Sequence, residues 1–248
     1  MGSFMAKVIA LLAFRNEEKY LPGFFAHLRD YVSEFIVLDD NSTDRSVEIV
    51  RAQPNTTLLE RRTQEPHPDH FFEVDNRRTL LQAALARSGQ WALACDADER
   101  FETNFLKTLS RLPETGESAY ALRVRDLWDA KDQYRVDGCW NEKAKFVLLP
   151  LLPFADYYPS HALHTRWPPP NIPCPDTNIL DFHLYHLISL RRSDRRQRLE
   201  KFRTIDPHEQ YQSWLGYDYL TDEKELEVTA IPAGRGFAIL PEDAHLFV

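Results

Sequence analysis

The order of apolar and polar stretches sets up an alternation of strands and helices. Lys7 to Ala13 is a continuous apolar run and predicts a strand buried on both faces. Glu17 to Leu28 has helical spacing, with Tyr20, Phe24 and Leu28 on one side. Glu34 to Leu38 predicts a second strand that ends at Asp39-Asp40, and Asn41-Ser-Thr-Asp44 offers capping side chains for a helix from Thr43 to Ala52. Leu58-Leu59 marks a short third strand. Phe71 to Arg87 predicts a helix whose core stripe is Leu80, Ala84 and Leu85, and Trp91 to Cys95 a fourth strand. A helix from Glu102 to Leu112 follows. The pattern then changes. Tyr120 to Leu127, Lys145 to Leu149 and Leu180 to Leu187 read as strands, and Leu151 to Pro175 as a long Pro- and aromatic-rich loop. Ser193 to Thr204 reads as a charged helix, and the chain from Glu223 as an extended arm.

Strand-helix alternation of this kind implies an α/β protein with a Rossmann-like, mainly parallel sheet flanked by helices. The expected organisation is one domain over residues 5–190, whose pattern changes between a first half near 5–118 and a second near 119–190. A C-terminal helix and extended tail occupy 191–248. A chain of 248 residues with 15 Phe, 10 Tyr and 5 Trp can bury a core of that size. The net charge of −8 argues against nucleic acid as a partner. No apolar run reaches the length of a membrane span, and Met1 to Met5 is too short and uncharged for a signal peptide. Three widely spaced cysteines, Cys95, Cys139 and Cys174, suit free thiols, so a cytoplasmic location is expected.

Candidate chemistry concentrates at strand ends. The Trp91 strand runs into Asp96-Ala-Asp-Glu99, three carboxylates within four residues. Two aspartates leaving a strand at i and i+2 can hold a divalent cation through hard oxygens, and the cation can hold a diphosphate. The first strand ends in Phe14-Arg-Asn-Glu-Glu18 and the second in Asp39-Asp-Asn-Ser-Thr-Asp44. In a parallel sheet all three clusters share the carboxyl rim, where α/β proteins bind ligands.

This ordered set resembles family 2 glycosyltransferases, which have the glycosyltransferase A fold. Asn16-Glu17-Glu18, Asp39-Asp40 with Ser42 and Asp44, and Asp96-Ala-Asp98 fall in that family's order, and Asn76-Arg77-Arg78 is similar to its helix before the metal strand. The resemblance implies a nucleotide diphosphate sugar as donor, a carbohydrate or other hydroxyl acceptor, and Mn²⁺ or Mg²⁺ as cofactor. It makes 5–190 the catalytic domain, with 5–118 as its donor half and 119–190 as its acceptor half. It places the donor against Phe14, Arg15, Asn16, Glu17, Asp40, Arg77, Asp96 and Asp98, with Asp40 on the base and Asp98 as the direct metal ligand. It also implies a histidine after the last core strand as a further ligand, a place that His186 fits. Arg15 stands where many members carry an aromatic residue, and a guanidinium can lie flat on a base. The family's downstream Glu-Asp pair is absent.

An inverting transfer needs a carboxylate to take the acceptor proton. The candidates are Asp126, Asp129, Asp137 and Asp156; Asp137 is favoured because its Asp-Gly turn lies beside an aromatic. An ordinary type I′ turn accounts for the same residues. His161, His164, Cys174, His183 and His186 offer a structural zinc site as an alternative, although residues three apart on a strand face opposite sides. The arginines around Arg195 are read as a solvated face paired with Asp194 and Glu200. The alternatives to a glycosyltransferase are a nucleotidyltransferase, disfavoured by the lack of a Gly-rich loop after the first strand, and an inactive sugar-nucleotide-binding scaffold.

Overall fold

The computed structural model describes residues 6–61, 73–87, 89–154 and 166–247. Its centre is an eight-stranded sheet. Four parallel strands form one half: β1 (Val8–Phe14), β2 (Glu34–Asp40), β3 (Thr56–Arg61) and β4 (Trp91–Ala94). The other half holds β5 (Glu99–Phe101), β6 (Tyr120–Asp126), β8 (Ala144–Pro150) and β9 (Ile179–His186). The order across the sheet is β3-β2-β1-β4-β8-β6-β9-β5. Strand β8 runs antiparallel to both β4 and β6, β9 is parallel to β6, and β5 is antiparallel to β9. The expected sheet is thus present as a parallel half continued by a mixed half. A separate ribbon pairs β7 (Gln133–Arg135) with β10 (Val228–Ala230).

Strand β1 shows why its sequence is apolar throughout. Val8, Ala10 and Leu12 enter one core with Phe24, Phe25 and Leu28 of helix α1 (Leu21–Leu28). Ile9 and Leu11 enter a second core, against Leu80, Leu81 and Ala84 of helix α3 (Glu73–Leu85). Side chains alternate across a strand, so a strand covered on both faces has no polar positions to spare. The remaining helices are α2 (Ser46–Arg51), α4 (Thr103–Thr108) and α5 (Arg192–Ile205). Two expected helices begin later than their patterns suggested, at Leu21 and Ser46. In both cases the residues before them are taken by loop contacts described below. Strands β5 and β7 were not expected: each is three residues long and carries charge.

The C-terminal arm is tied to the sheet by a buried ion pair. Arg100 of β5 and Asp243 are both fully buried, with Arg100 Nε and Nη2 donating to the carboxylate at 2.8 and 2.7 Å. Arg100 also donates to the carbonyls of Ala97, Glu99 and Tyr20. Helix α1 passes close enough that a Cβ on Gly23 would lie 1.8 Å from Asp243 Oδ1, which accounts for a glycine inside a helix. Removing one partner of such a pair leaves an uncompensated buried charge. Asp243→Ala is expected to cost about 3–5 kcal/mol in urea unfolding; a loss below about 1 kcal/mol would mean the arm contributes little to the folded state.

Candidate active site

The first two strand-end motifs form one laced structure. Asn16 and Asn41 take positive φ of 58° and 61°, a region that asparagine tolerates. The Asn16 N–H donates to Ser42 Oγ at 3.0 Å, and the Thr43 N–H donates to Asn16 Oδ1 at 2.7 Å. The Glu17 and Glu18 N–H groups donate to Ser46 Oγ and Asp44 Oδ2. The Ser42 N–H closes on Asp39 Oδ1. These bonds hold the loops after β1 and β2 side by side. They leave Asp40 at the rim, 1% exposed, with neither carboxylate oxygen hydrogen-bonded among the described residues. Arg61 Nε stands 3.9 Å away. A buried carboxylate without a donor is costly, and such a group at a sheet rim is poised for a ligand N–H.

The third motif is organised by strand register. Strand β4 pairs Leu93 with Leu148, and extending that register three residues brings Asp96 opposite Lys145. Lys145 Nζ donates to Asp96 Oδ2 at 2.7 Å and to both Glu99 oxygens at 2.7 and 2.8 Å. Burial and the neighbouring Asp96 push the Glu99 carboxyl up to about 7, against the pull of Lys145. Strand β9 lies between β6 and β5, so His186 stands opposite Asp126 on one side and Glu99 on the other. Its ring links two carboxylates: Nε2 lies 3.0 Å from Asp98 Oδ2 and Nδ1 lies 2.9 Å from Asp126 Oδ1. Burial works against charging the ring, but Asp98 and Asp126 outweigh it and raise His186 to about 9. Glu17 is raised to about 8, by burial first and then by Asp98.

A metal-ligating reading of Asp98 and His186 can be tested on their spacing. Neighbouring ligands of an octahedral ion with bonds near 2.1 Å stand about 3 Å apart, and Asp98 Oδ2 and His186 Nε2 already have that separation. The carboxylate and a diphosphate's oxygens suit Mn²⁺ or Mg²⁺, and the imidazole favours Mn²⁺, the softer of the two. Among the described residues, no three His, Cys, Asp or Glu side chains converge as a cage of their own. The two residues therefore fit a cation shared with a ligand.

The other expected site residues divide. Arg77 packs 5.0 Å over the Trp167 ring, pairs with Glu73 and keeps Nη1 buried without a hydrogen-bond partner among the described residues. Its charge also lowers the Asp96 carboxyl, whose burial is outweighed chiefly by Lys145. Phe14 does not meet the donor-binding expectation: its side chain is 1% exposed and belongs to the core beside α1. Arg15 lies half-buried at the rim. Asp137 is held by a two-point ion pair with Arg135, at 2.7 Å for each contact, and accepts the Glu227 N–H at 3.1 Å. Partial burial is outweighed by those bonds, and its carboxyl falls below the usual range. It is not drawn into the Asp96–Asp98–His186 cluster. Gly138, after it, opens a short 3₁₀ turn rather than a two-residue hairpin. Asp129 pairs with Arg195. Asp156, His161 and His164 lie outside the described residues. His183 turns instead to the Tyr185 hydroxyl at 3.1 Å, so it shares no ligand role with His186.

Helix α5 keeps a solvated face, on which Arg192, Arg196, Lys201 and Arg203 are exposed, but Arg195 departs from that expectation. Arg195 is 2% exposed, stacks 3.9 Å from the Trp128 ring centre and bonds to Asp129, Glu223 and the Ser189 carbonyl. Asp194 pairs with Lys19 across the fold. Lys145 and Asp126 are the residues whose place in the cluster was missed. Lys145 left a signal, a charge inside an otherwise apolar strand; Asp126 left none.

Residues 10–158 match the family described as Glycosyl transferase family 2, and the chain belongs to that family. Among curated proteins, a TPR repeat-containing protein of Synechococcus elongatus is 35% identical over 99 residues, covering 40% of this chain and 22% of its own length. The chain thus spans about a fifth of that relative. Among solved structures, glucosyl-3-phosphoglycerate synthase from Mycobacterium tuberculosis is similar in two forms. The complex with Mn²⁺, UDP and glucosyl-3-phosphoglycerate has 21% identity and a TM-score of 0.33, covering 49% of this chain and 44% of that one. The complex with Mg²⁺ and UDP has 21% identity and a TM-score of 0.34 over the same shares. No helix among the described residues is long and apolar enough to cross a membrane.

The cluster has a pH signature. Glu17, Glu99 and His186 all have folded values above their ordinary ones, so the folded state holds more protons between pH 6 and 9. Such stabilisation is complete below the ordinary values and fades as pH rises through about 7, 8 and 9. Asp98, Asp126 and Lys145 shift outside that window and add nothing to its slope. His27 and His183, lowered to about 3 and about 4 chiefly by burial, act the other way as the unfolded chain's histidines titrate near pH 6.5, and they offset only part of the loss from the three raised groups. Without added metal, the urea midpoint is expected to be lower at pH 9 than at pH 6. A midpoint that rises would contradict the assignment.

Proposed function

We propose that the chain transfers a sugar from a nucleotide diphosphate sugar to a hydroxyl-bearing acceptor, with inversion and with Mn²⁺ or Mg²⁺ as cofactor. The observation that carries this reading is the Asp98–His186 pair, 3.0 Å apart at the carboxyl end of the parallel strands. A divalent cation bound there supplies a Lewis acid for the departing diphosphate. Asp40, buried and without a hydrogen-bond donor among the described residues, accepts an N–H of the base. Arg77, with one guanidinium nitrogen that has no hydrogen-bond partner among the described residues, faces diphosphate charge. Asp96 is held by Lys145, which leaves its remaining oxygen for the ribose or the metal shell. Arg15, Asn16 and Glu17 form the rim on which the donor lies, and Asn16 acts through the loop it holds. Family membership supports the transferase over a nucleotidyltransferase.

The acceptor's proton needs a carboxylate with a free, basic oxygen. Asp137 is engaged at both oxygens by Arg135, so we assign it to anchoring Arg135 between the Trp128 and Trp140 rings rather than to proton transfer. Asp126 is likewise engaged at both oxygens, whereas Asp129 is paired with Arg195 through Oδ1.

Three substitutions test these roles. Asp98→Ala is expected to fold normally and to lose the Mn²⁺-dependent part of nucleotide binding in calorimetry; full Mn²⁺-assisted affinity would remove the metal assignment. Asp40→Ala is expected to weaken nucleotide binding even without metal, because a base contact does not pass through the cation; unchanged metal-free affinity would refute it. Asp137→Asn is expected to leave kcat within about threefold, whereas loss of a general base costs about a hundredfold or more. A drop of that size with donor affinity intact would restore Asp137 as the base.

A further inference from the structure

Asp126 is fully buried at the end of β6, away from the aspartates that the cation reading uses. Four groups converge on its two oxygens. His186 Nδ1 lies 2.9 Å from Oδ1, and Ser189 Oγ donates to the same oxygen at 2.9 Å. Lys143 Nζ donates to Oδ2 at 3.1 Å, and Arg198 Nη1 stands 3.9 Å from Oδ1. A carboxylate so enclosed cannot approach an acceptor, so it is no proton acceptor for the reaction. Its position does something else. An imidazole that ligates a metal through Nε2 must carry its hydrogen on Nδ1, and the acceptor opposite Nδ1 selects that tautomer and fixes the ring plane. Strand register places Asp126 opposite His186, so the orientation is set by the sheet itself.

We propose that Asp126 is a positioning residue that holds His186 with Nε2 aimed at the position beside Asp98, with Lys143 holding the other oxygen of Asp126 in turn. This rests on the cation reading above and adds a residue to it. An amide at 126 cannot replace the carboxylate. It has one acceptor oxygen, so its NH₂ must face either Lys143 or the His186 and Ser189 donors.

The test is Mn²⁺ alone as the probe, with free ion counted by electron paramagnetic resonance, on wild type, Asp98→Ala, His186→Ala, Asp126→Asn and Ser189→Ala. Asp126→Asn is expected to raise the Mn²⁺ Kd by about 10–100-fold, the usual scale for a lost partner of a ligating histidine. Ser189→Ala, which keeps the Asp126–His186 contact, should stay within about threefold of wild type. That split is one a general loss of packing would not produce. If Asp98→Ala and His186→Ala weaken Mn²⁺ binding while Asp126→Asn matches wild type, this inference falls and the cation reading stands. If Asp98→Ala and His186→Ala bind as wild type does, the cation reading falls and takes the inference with it. Should Asp126→Asn not fold, nitrogen spectra of wild type with Cd²⁺ decide. A slowly exchanging hydrogen on His186 Nδ1 is expected, and a freely exchanging one, or one on Nε2, would overturn the proposal.

Discussion

The arrangement of the site depends on one constraint: strand β9 is inserted between β6 and β5. That placement forces His186 to stand between Asp126 and the Asp96–Glu99 segment, because the register on each side assigns it a partner. The histidine does not need a loop to carry it to the acidic motif. It arrives as part of a hydrogen-bonded ladder, with the Leu187 N–H donating to the Asp98 carbonyl at 2.8 Å to close the junction. Rigid strands hold side chains more accurately than loops do. The same logic acts across β4 and β8, where register brings Lys145 to Asp96 and Glu99.

Around this junction the charges are balanced in pairs rather than pooled. Lys145 answers Asp96 and Glu99, Lys143 answers Asp126, and His186 bridges Asp98 and Asp126. The acidic cluster is thus held together by the chain's own cationic side chains. A second layer holds the surrounding elements. Arg195 and Arg135 stack on Trp128, and Arg100 binds the C-terminal arm through Asp243. Buried Arg100 and Arg195 tie together segments distant in sequence. Each is costly to desolvate alone and is kept by carboxylates and carbonyls around it.

How much of this was readable in advance follows from what each feature depends on. Strands β1, β2 and β4 announce themselves because both faces are covered, which leaves uninterrupted apolar runs. The motifs at their ends were legible for the same reason: a parallel strand that stops in acidic residues stops at the ligand rim. The late start of α2 was not, because Ser42 and Thr43 look like capping residues but bind the loop after β1, while Asp44 binds that loop through one oxygen and accepts the Ser46 N–H through the other. Arg195 shows how composition misleads. Its helix carries enough charge to look solvated, yet one arginine turns inward onto Trp128. The partnership of Asp126 with His186 spans sixty residues of sequence and depends wholly on strand order, which no local pattern encodes.

The central claim is that the Asp98–His186 pair holds a divalent cation. Paramagnetic broadening by substoichiometric Mn²⁺ in the presence of a nucleoside diphosphate tests it at the atoms concerned. The ring signals of His186 should vanish first, while those of His208 and His245 stay sharp. His186 signals that survive, or that fade no faster than those of the other two, would contradict the account.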